Sequence, residues 1–281
     1  MTAHELIGST CWVVAEIGCN HQGSPMVARS LVDMACECGV GAVKGQLRTL
    51  EGHPEWCRAY DSPHAFGRTY AEHRQALELP LDVHEALRDQ AAADGVDYSV
   101  SVWDEGAAKR WMKTEPAWVK VPSAALTDTA TLDVLADSDA VVVLSRGMST
   151  PEEIDAALKR LKRLDATILL HCTSTYPTAN EDVHLRVLDT LRRWYHPIPI
   201  GISGHWRGIQ IDAAAVALGA RVIERHITLD RTMKGTDHAV SLERAGLEKL
   251  VRDVRAVEAA MGSGKVCVQG CEQAVRAKLR G

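Results

Sequence analysis

Residues 140–153 read Ala140-Val141-Val142-Val143-Leu144-Ser145-Arg146-Gly147-Met148-Ser149-Thr150-Pro151-Glu152-Glu153. The first part is an apolar, largely β-branched run with no polar alternation, the pattern of a strand buried on both faces. The last part is a helix start, with a hydroxyl cap, a proline at the first position and acidic residues in the first turn. A doubly buried strand handed directly to a helix is half of a parallel βαβ unit.

The same unit recurs in both directions. Apolar runs lie at 12–17, 41–46, 96–102, 117–121, 140–145, 167–172, 199–202 and 221–226. Helical patterns follow them. The first is capped by Ser24, carries Pro25 at its first position and closes at Gly39. Others are expected over 81–93, from Asp104, over 128–136, from Thr150, and over 182–195, 209–218 and 242–261. Eight strand–helix units in this length predict an α/β fold, a closed (β/α)8 TIM barrel over 1–262 with a tail at 263–281. The competing open sheet needs a glycine-rich phosphate loop after its first strand, and Glu16-Ile17-Gly18-Cys19-Asn20-His21-Gln22-Gly23 matches G-x-G-x-x-G poorly.

Bulk properties narrow the function. The chain has 281 residues, 46% hydrophobic and 25% charged, with a net charge of −5. That balance suits a globular enzyme and gives no footprint for nucleic acid or an anionic membrane. No apolar run is long enough to span a bilayer and residues 1–10 lack a signal pattern, so a cytoplasmic location is expected. The eight cysteines have no paired C-x-x-C halves and read as reduced thiols rather than a zinc site.

In such a barrel the chemistry lies at the C-terminal strand ends. The polar residues there are Glu16, Lys44 with Gln46, Ser99 with Ser101, Lys120 with Ser123, Ser145, His171 with Thr173 and Ser174, Ser203 with His205, and Glu224 with His226. Lys44 and Lys120 stand in otherwise apolar strands, and a buried ammonium needs an anion. Either Glu16 or Glu224 supplies it, or a substrate phosphate or carboxylate does, with Ser123, Ser145, Ser174 and Ser203 completing the shell.

His205 and His226 follow neighbouring strands, and two imidazoles so placed suit a divalent metal with positions left open. His21, His171 and His238 are further candidates. His4, His53, His64, His73, His84, His184 and His196 read as surface or loop residues. The charged loop after the eighth strand brings Asp237 within expected reach of a substrate hydroxyl.

The stretches 14–23, 41–46, 171–177, 201–205 and 219–230 resemble the sialic acid (N-acetylneuraminate) synthase family, and the likeness runs from about 12 to 262. The resemblance implies a carbon–carbon bond-forming transferase of carbohydrate biosynthesis. It would condense phosphoenolpyruvate with an N-acetylmannosamine-like aldose, give a 2-keto-3-deoxy sugar acid and release phosphate. It implies that Lys44, Ser101, Lys120, Ser123, Ser145, Ser174 and Ser203 hold phosphoenolpyruvate, and that His205 and His226 bind manganese or magnesium. Glu16, Gln46, Tyr176, Glu224 and Asp237 would orient the sugar or assist proton movement, in a homodimer.

Three departures matter. Gly204 stands where the family commonly has Asp before the first metal histidine, and Ala124 and Ala125 follow Ser123 where a glutamate is usual. Residues 263–281 are too few for the family's C-terminal antifreeze-like domain, which closes the partner's site. The segment 48–79, with Trp56, Tyr60, Phe66, Arg68, Tyr70, His73 and Arg74, is therefore expected to cover the mouth, with Arg68 or Arg74 touching the sugar. The competing functions are a Schiff-base aldolase or lyase using Lys44 or Lys120, and a barrel that binds a sugar acid without catalysis.

Overall fold

The computed structural model describes residues 1–50 and 58–280. Eight strands, β1 Trp12–Glu16, β2 Ala42–Leu47, β3 Asp97–Val102, β4 Trp118–Val121, β5 Val141–Ser145, β6 Thr167–His171, β7 Ile200–Gly204 and β8 Val222–His226, form a closed barrel in sequence order. Every neighbouring pair is parallel, and β8 closes on β1 with Trp12 beside Val222 and Glu16 beside His226. The helices are α1 Ala3–Ile7, α2 Pro25–Glu37, α3 Tyr70–Leu77, α4 Leu81–Ala93, α5 Glu105–Met112, α6 Thr129–Ala136, α7 Pro151–Leu161, α8 Val187–Trp194, α9 Gln210–Ala217, α10 Arg244–Met261 and α11 Gln273–Arg280. The expected (β/α)8 barrel is the fold.

Strand alternation divides the apolar residues into two cores. Val13, Ala15, Val43, Val100, Val119, Val142, Leu169, Ile202 and Ile223 pack outward against the helices. Trp12, Val14, Ala42, Trp118, Val141, Val143, Ile168, Leu170 and Val222 fill the barrel interior. Toward the C-terminal end the interior positions change character, and Glu16, Lys44, Lys120, Ser145, Ser203, Glu224 and His226 follow on the same strands. The apolar layers support a polar lid on the interior, and that change sets the position of the site.

The opposite end is closed by α1, an element not expected from the sequence. Thr2 and Glu5 cap it reciprocally, and Ala3 and Ile7 join the interior core. Burying Ile7 is worth roughly 2 kcal/mol. The helix expected at 182–195 is shorter, because Asn180–Asp182 form a 3-10 turn before α8 begins at Val187. Two histidines assigned to the surface are buried instead. His84 sits on the inner face of α4 against the Tyr98 hydroxyl, and His73 on α3 stacks with Tyr60. His53 lies outside the described residues. Residues beyond α10 form an exposed stretch and helix α11, which buries no side chain.

Candidate active site

Strand register builds the site. Glu16 is aligned with Lys44 and with His226, Ser101 with Lys120, and Ser203 with Glu224. The Lys44 ammonium pairs with the Glu16 carboxylate, donates to Ser101 Oγ at 2.7 Å and lies 3.8 Å from Glu224 Oε1. Lys120 Nζ is 3.7 Å from the same Glu224 oxygen, which also accepts from Ser203 Oγ at 2.9 Å. All six charged or hydroxyl groups are buried. Both lysines thus have the carboxylate partners weighed from the sequence, two cations facing two anions in a dry layer.

The electrostatics follow from burial. Desolvation drives the Lys44 ammonium down to about 7, against the opposing pull of Glu224. Burial works against ionising Glu224, but Lys120 and Lys44 outweigh it and hold that carboxyl below its usual range. Several buried polar atoms here have no hydrogen-bond partner, among them Glu16 Oε1, Glu224 Oε2, Ser145 Oγ and His226 Nδ1. A native core rarely leaves so many polar groups unmet unless a ligand or ordered water completes them.

Beside this layer Ser123 and Ser174 share a hydrogen bond of 2.9 Å. Gly147 passes so close that a Cβ there would land on Ser174 Oγ and lie 2.7 Å from Cys172 Sγ. The sequence reading missed this glycine. Its signal was present in Ser145-Arg146-Gly147, a glycine two residues past a strand end.

His205 and His226 also converge, with ring centroids 5.7 Å apart, and the Tyr176 ring lies 4.1 Å from that of His205. His205 Nδ1 donates to the Thr173 carbonyl at 3.1 Å, which leaves Nε2 as an acceptor or ligand. Burial pushes His205 down to about 3 and also lowers His226, so both rings are neutral, as metal ligands must be. Asp237 Oδ2 stands 3.8 Å from the unmet His226 Nδ1. The two imidazoles and the unmet Glu16 Oε1 suit a divalent cation in donor chemistry. Among the described residues no three His, Cys, Asp or Glu side chains form a ready ligand set.

The other histidine candidates do not join them. His171 turns away from the interior, accepts from Arg146 at Nδ1 and donates from Nε2 to the Val183 carbonyl at 2.6 Å. His238 is tied to Thr228 Oγ1 at 2.7 Å, and His21 Nδ1 accepts the Gly23 amide.

A cavity of about 360 Å³ opens over this layer, lined by Cys19, Asn20, Gln46, Arg48, Phe66, His73, Arg74, Leu77, Trp103, Tyr176, His226 and Gly235 to Asp237. The segment after β2 does reach the barrel mouth, through Phe66, His73, Arg74 and Leu77. Of the two arginines weighed from the sequence, Arg74 lines the cavity, while Arg68 is exposed and gives its backbone amide to Glu72. Trp56 lies outside the described residues. Gln46 accepts from Arg48 at 2.9 Å, and the Arg48 guanidinium sits 3.6 Å over the Trp103 ring. Neither Arg48 nor Trp103 was singled out from the sequence. Arg48 continues the alternation of Lys44 and Gln46 one step past β2, which was a usable signal. Ala124, exposed, and Ala125, buried, bring no carboxylate to Ser123.

Fold and mouth together define a barrel enzyme that works on an anionic substrate beside two neutral imidazoles. The family is specific. The chain belongs to the NeuB family, whose model matches residues 31–266. It is 41% identical to human N-acetylneuraminate-9-phosphate synthase over 273 residues, 96% of this chain and 76% of that protein. It is 32% identical to the N,N'-diacetyllegionaminic acid synthase of Legionella pneumophila, over 96% of this chain and 79% of that one. A solved N-acetylneuraminic acid synthetase from Leptospira borgpetersenii, in complex with citrate, superposes with a TM-score of 0.83 at 29% identity, covering 97% of this chain and 93% of the other. The chain is thus an enzyme, a phosphoenolpyruvate-dependent sugar-acid synthase.

Proposed function

We propose that this enzyme joins phosphoenolpyruvate to the aldehyde of an open-chain, N-acetylmannosamine-like aldose, with water as third reactant, to give a 2-keto-3-deoxy sugar acid and phosphate. The observation that carries this reading is the dry layer of Lys44 and Lys120 beside the Ser123–Ser174 pair, on the same strand ends as Gln46 and His226, which line an open cavity. In this reading Lys44 and Lys120, with Ser101, Ser123, Ser145, Ser174 and Ser203, bind the phosphoryl and carboxylate groups of phosphoenolpyruvate. Gly147 leaves them room. Charge-assisted bonds in a desolvated site hold such anions strongly.

The C3 carbon of phosphoenolpyruvate attacks the aldehyde carbon, forming the new C–C bond, and the aldehyde oxygen takes a proton. Water adds to the electron-poor C2, giving up a proton to a carboxylate. Breaking the C2–O bond releases phosphate and leaves the ketone. Glu16 and Glu224 are the buried carboxylates that can hold those protons, and Gln46, Tyr176 and Asp237 line the space where the sugar would be oriented. His205 and His226 would hold a manganese or magnesium ion, and a divalent ion supplies polarisation of a carbonyl oxygen. The reading also includes a homodimer and a cytoplasmic location. Among the described residues no helix is long and apolar enough to cross a membrane.

The test is incubation with phosphoenolpyruvate labelled with oxygen-18 in its bridging position, plus N-acetylmannosamine or its 6-phosphate. Label leaving in the phosphate, with a sugar acid of matching mass, is expected. No phosphate release with any aldose in a broad panel rejects the reading. One observation favours the Schiff-base alternative, the lowered pKa of Lys44. Its ion pair with Glu16 and its bond to Ser101 oppose that role, and borohydride trapping in the presence of substrate separates the two.

A further inference from the structure

Arg225 takes no part in the reaction proposed above, yet it stands between two residues that do. Glu224 and His226 point into the barrel, so strand alternation turns Arg225 outward, in one row with Ile223 and Ile227. Those neighbours are apolar and fully buried, and a guanidinium among them, itself 1% exposed, is an exception. Its ion-pair partner is Asp212, on the buried face of α9. A wholly buried ion pair adds little to stability, because desolvating both charges offsets their attraction. Its use lies in what else the guanidinium holds.

The fork reaches the loop between β7 and α9. Nη2 donates to the Trp206 carbonyl at 2.8 Å, and Nη1 donates to the Gly208 carbonyl at 2.8 Å beside its bond to Asp212. The guanidinium carbon lies 5.2 Å from the centre of the Trp206 ring. That ring folds back over β7. A Cβ on Gly204 would lie 2.6 Å from the ring and 2.8 Å from Arg225 Cδ, so position 204 has no room for a side chain. Gly204 is also the residue aligned with Arg225 across the β7–β8 pair.

His205 lies between these two held points. Its chain neighbours Gly204 and Trp206 both rest on Arg225, while the Thr178 amide donates to the His205 carbonyl at 3.0 Å and His205 Nδ1 donates to the Thr173 carbonyl at 3.1 Å. The backbone that carries one imidazole is thus held by the residue next in the chain to the other imidazole. We propose that Arg225, braced by Asp212, is the positioning residue that sets the spacing and orientation of His205 and His226 as a pair of ligands. This rests on the reading of that pair as the divalent-ion site, and it adds to that site a residue that touches neither the ion nor the substrate. A lysine in its place would keep the charge but lose the planar fork that spans two carbonyls and a carboxylate.

The experiment titrates manganese and cobalt(II) into chelator-treated enzyme without substrate. Bound manganese is followed by electron paramagnetic resonance, and cobalt by its visible absorption band, which reports ligand geometry at saturation. The double variant Arg225→Met with Asp212→Leu removes both charges together and is expected to stay folded. It is expected to bind manganese roughly 10- to 100-fold more weakly than wild type, with the cobalt band shifted. Arg225→Lys is expected to fall between the two, and it decides the matter if the double variant does not fold. Ile154→Val, a packing change on α7, is expected to lower the melting temperature with affinity and band unmoved. Folded Arg225 variants that bind manganese within about threefold of wild type, or that leave the cobalt band in place, overturn the positioning role while the ion site stands. A comparable change in Ile154→Val overturns it too. A wild-type enzyme that binds neither ion overturns the ion site and this inference with it.

Discussion

Lys120→Met is the sharpest probe of the buried layer. Lys120 Nζ stands 3.7 Å from Glu224 Oε1 with its side chain 4% exposed. At that separation and an effective dielectric near 20, Coulomb's law gives about 332/(20 × 3.7), or roughly 4 kcal/mol, for a unit pair. Phosphoenolpyruvate bound against the same ammonium should lose a comparable interaction, about 2 to 5 kcal/mol. That predicts a fall in kcat/KM for phosphoenolpyruvate of roughly 30- to 5000-fold. The fold should survive, because Glu224 keeps Lys44 at 3.8 Å and Ser203 at 2.9 Å. A loss of about 1 to 3 kcal/mol, a few degrees in melting temperature, is expected from the broken pair. The assay is steady-state phosphate release with phosphoenolpyruvate varied, run beside a thermal melt. A folded variant with kcat/KM within about threefold of wild type would falsify the role and leave Lys120 as a purely structural partner of Glu224.

Other outcomes follow from the same geometry. Chelation is expected to abolish turnover and manganese or magnesium to restore it; titration of manganese into His205→Ala and His226→Ala should show affinity reduced well beyond about tenfold, and normal affinity in both rejects the pair as ligands. Gly147→Ala places a methyl on Ser174 Oγ and 2.7 Å from Cys172 Sγ. Overpacking of about 1 to 3 kcal/mol should raise the KM for phosphoenolpyruvate while the far-ultraviolet spectrum stays unchanged, and an unaltered KM dissociates the glycine from the site.

How far the sequence carried the reading depended on whether a residue obeyed the period of its element. Parallel strands buried on both faces announce themselves as largely apolar, β-branched runs, and all eight were legible even where polar residues interrupt them, as in β3 and β8. Lysine in such a run is conspicuous, and so Lys44 and Lys120 were too. The N-terminal helix α1 has only five residues, too few for a helical period, although Thr2 and Glu5 spell a capping box. Its role as a plug depends on barrel closure, which no local pattern encodes. His73 and His84 were misread because histidine is polar by type, and only packing showed that each faces inward. Arg48 and Trp103 meet across the ends of β2 and β3, and their contact requires the register of that pair.

Those inward histidines make the stability of the fold depend on pH, with a sign that can be worked out. His84 is wholly buried, with its Nδ1 2.8 Å from the Tyr98 hydroxyl, and burial lowers it to about 3. Burial likewise takes His21 and His171 down to about 4, and Arg146 holds His171 as an acceptor at Nδ1. In the unfolded chain each titrates near 6.5. Above about pH 6.5 neither state binds these protons and the full stability is present. Below it the unfolded chain takes up protons that the folded chain refuses, so stability falls as pH falls toward 4. Each histidine contributes up to about 1.4 kcal/mol per pH unit in that window, roughly 4 for the three together. Urea denaturation at several pH values between 7.5 and 5.5 reads the net slope, to which Glu78, raised by burial to about 7, and Asp212, raised to about 6, contribute with the opposite sign. His84→Gln removes one of the titrating groups and should flatten the slope by about 0.7 kcal/mol per unit averaged over that range, whatever it does to the stability at pH 7.5. A slope identical in the variant and the wild type would mean that the His84 imidazole finds a proton in the folded state after all.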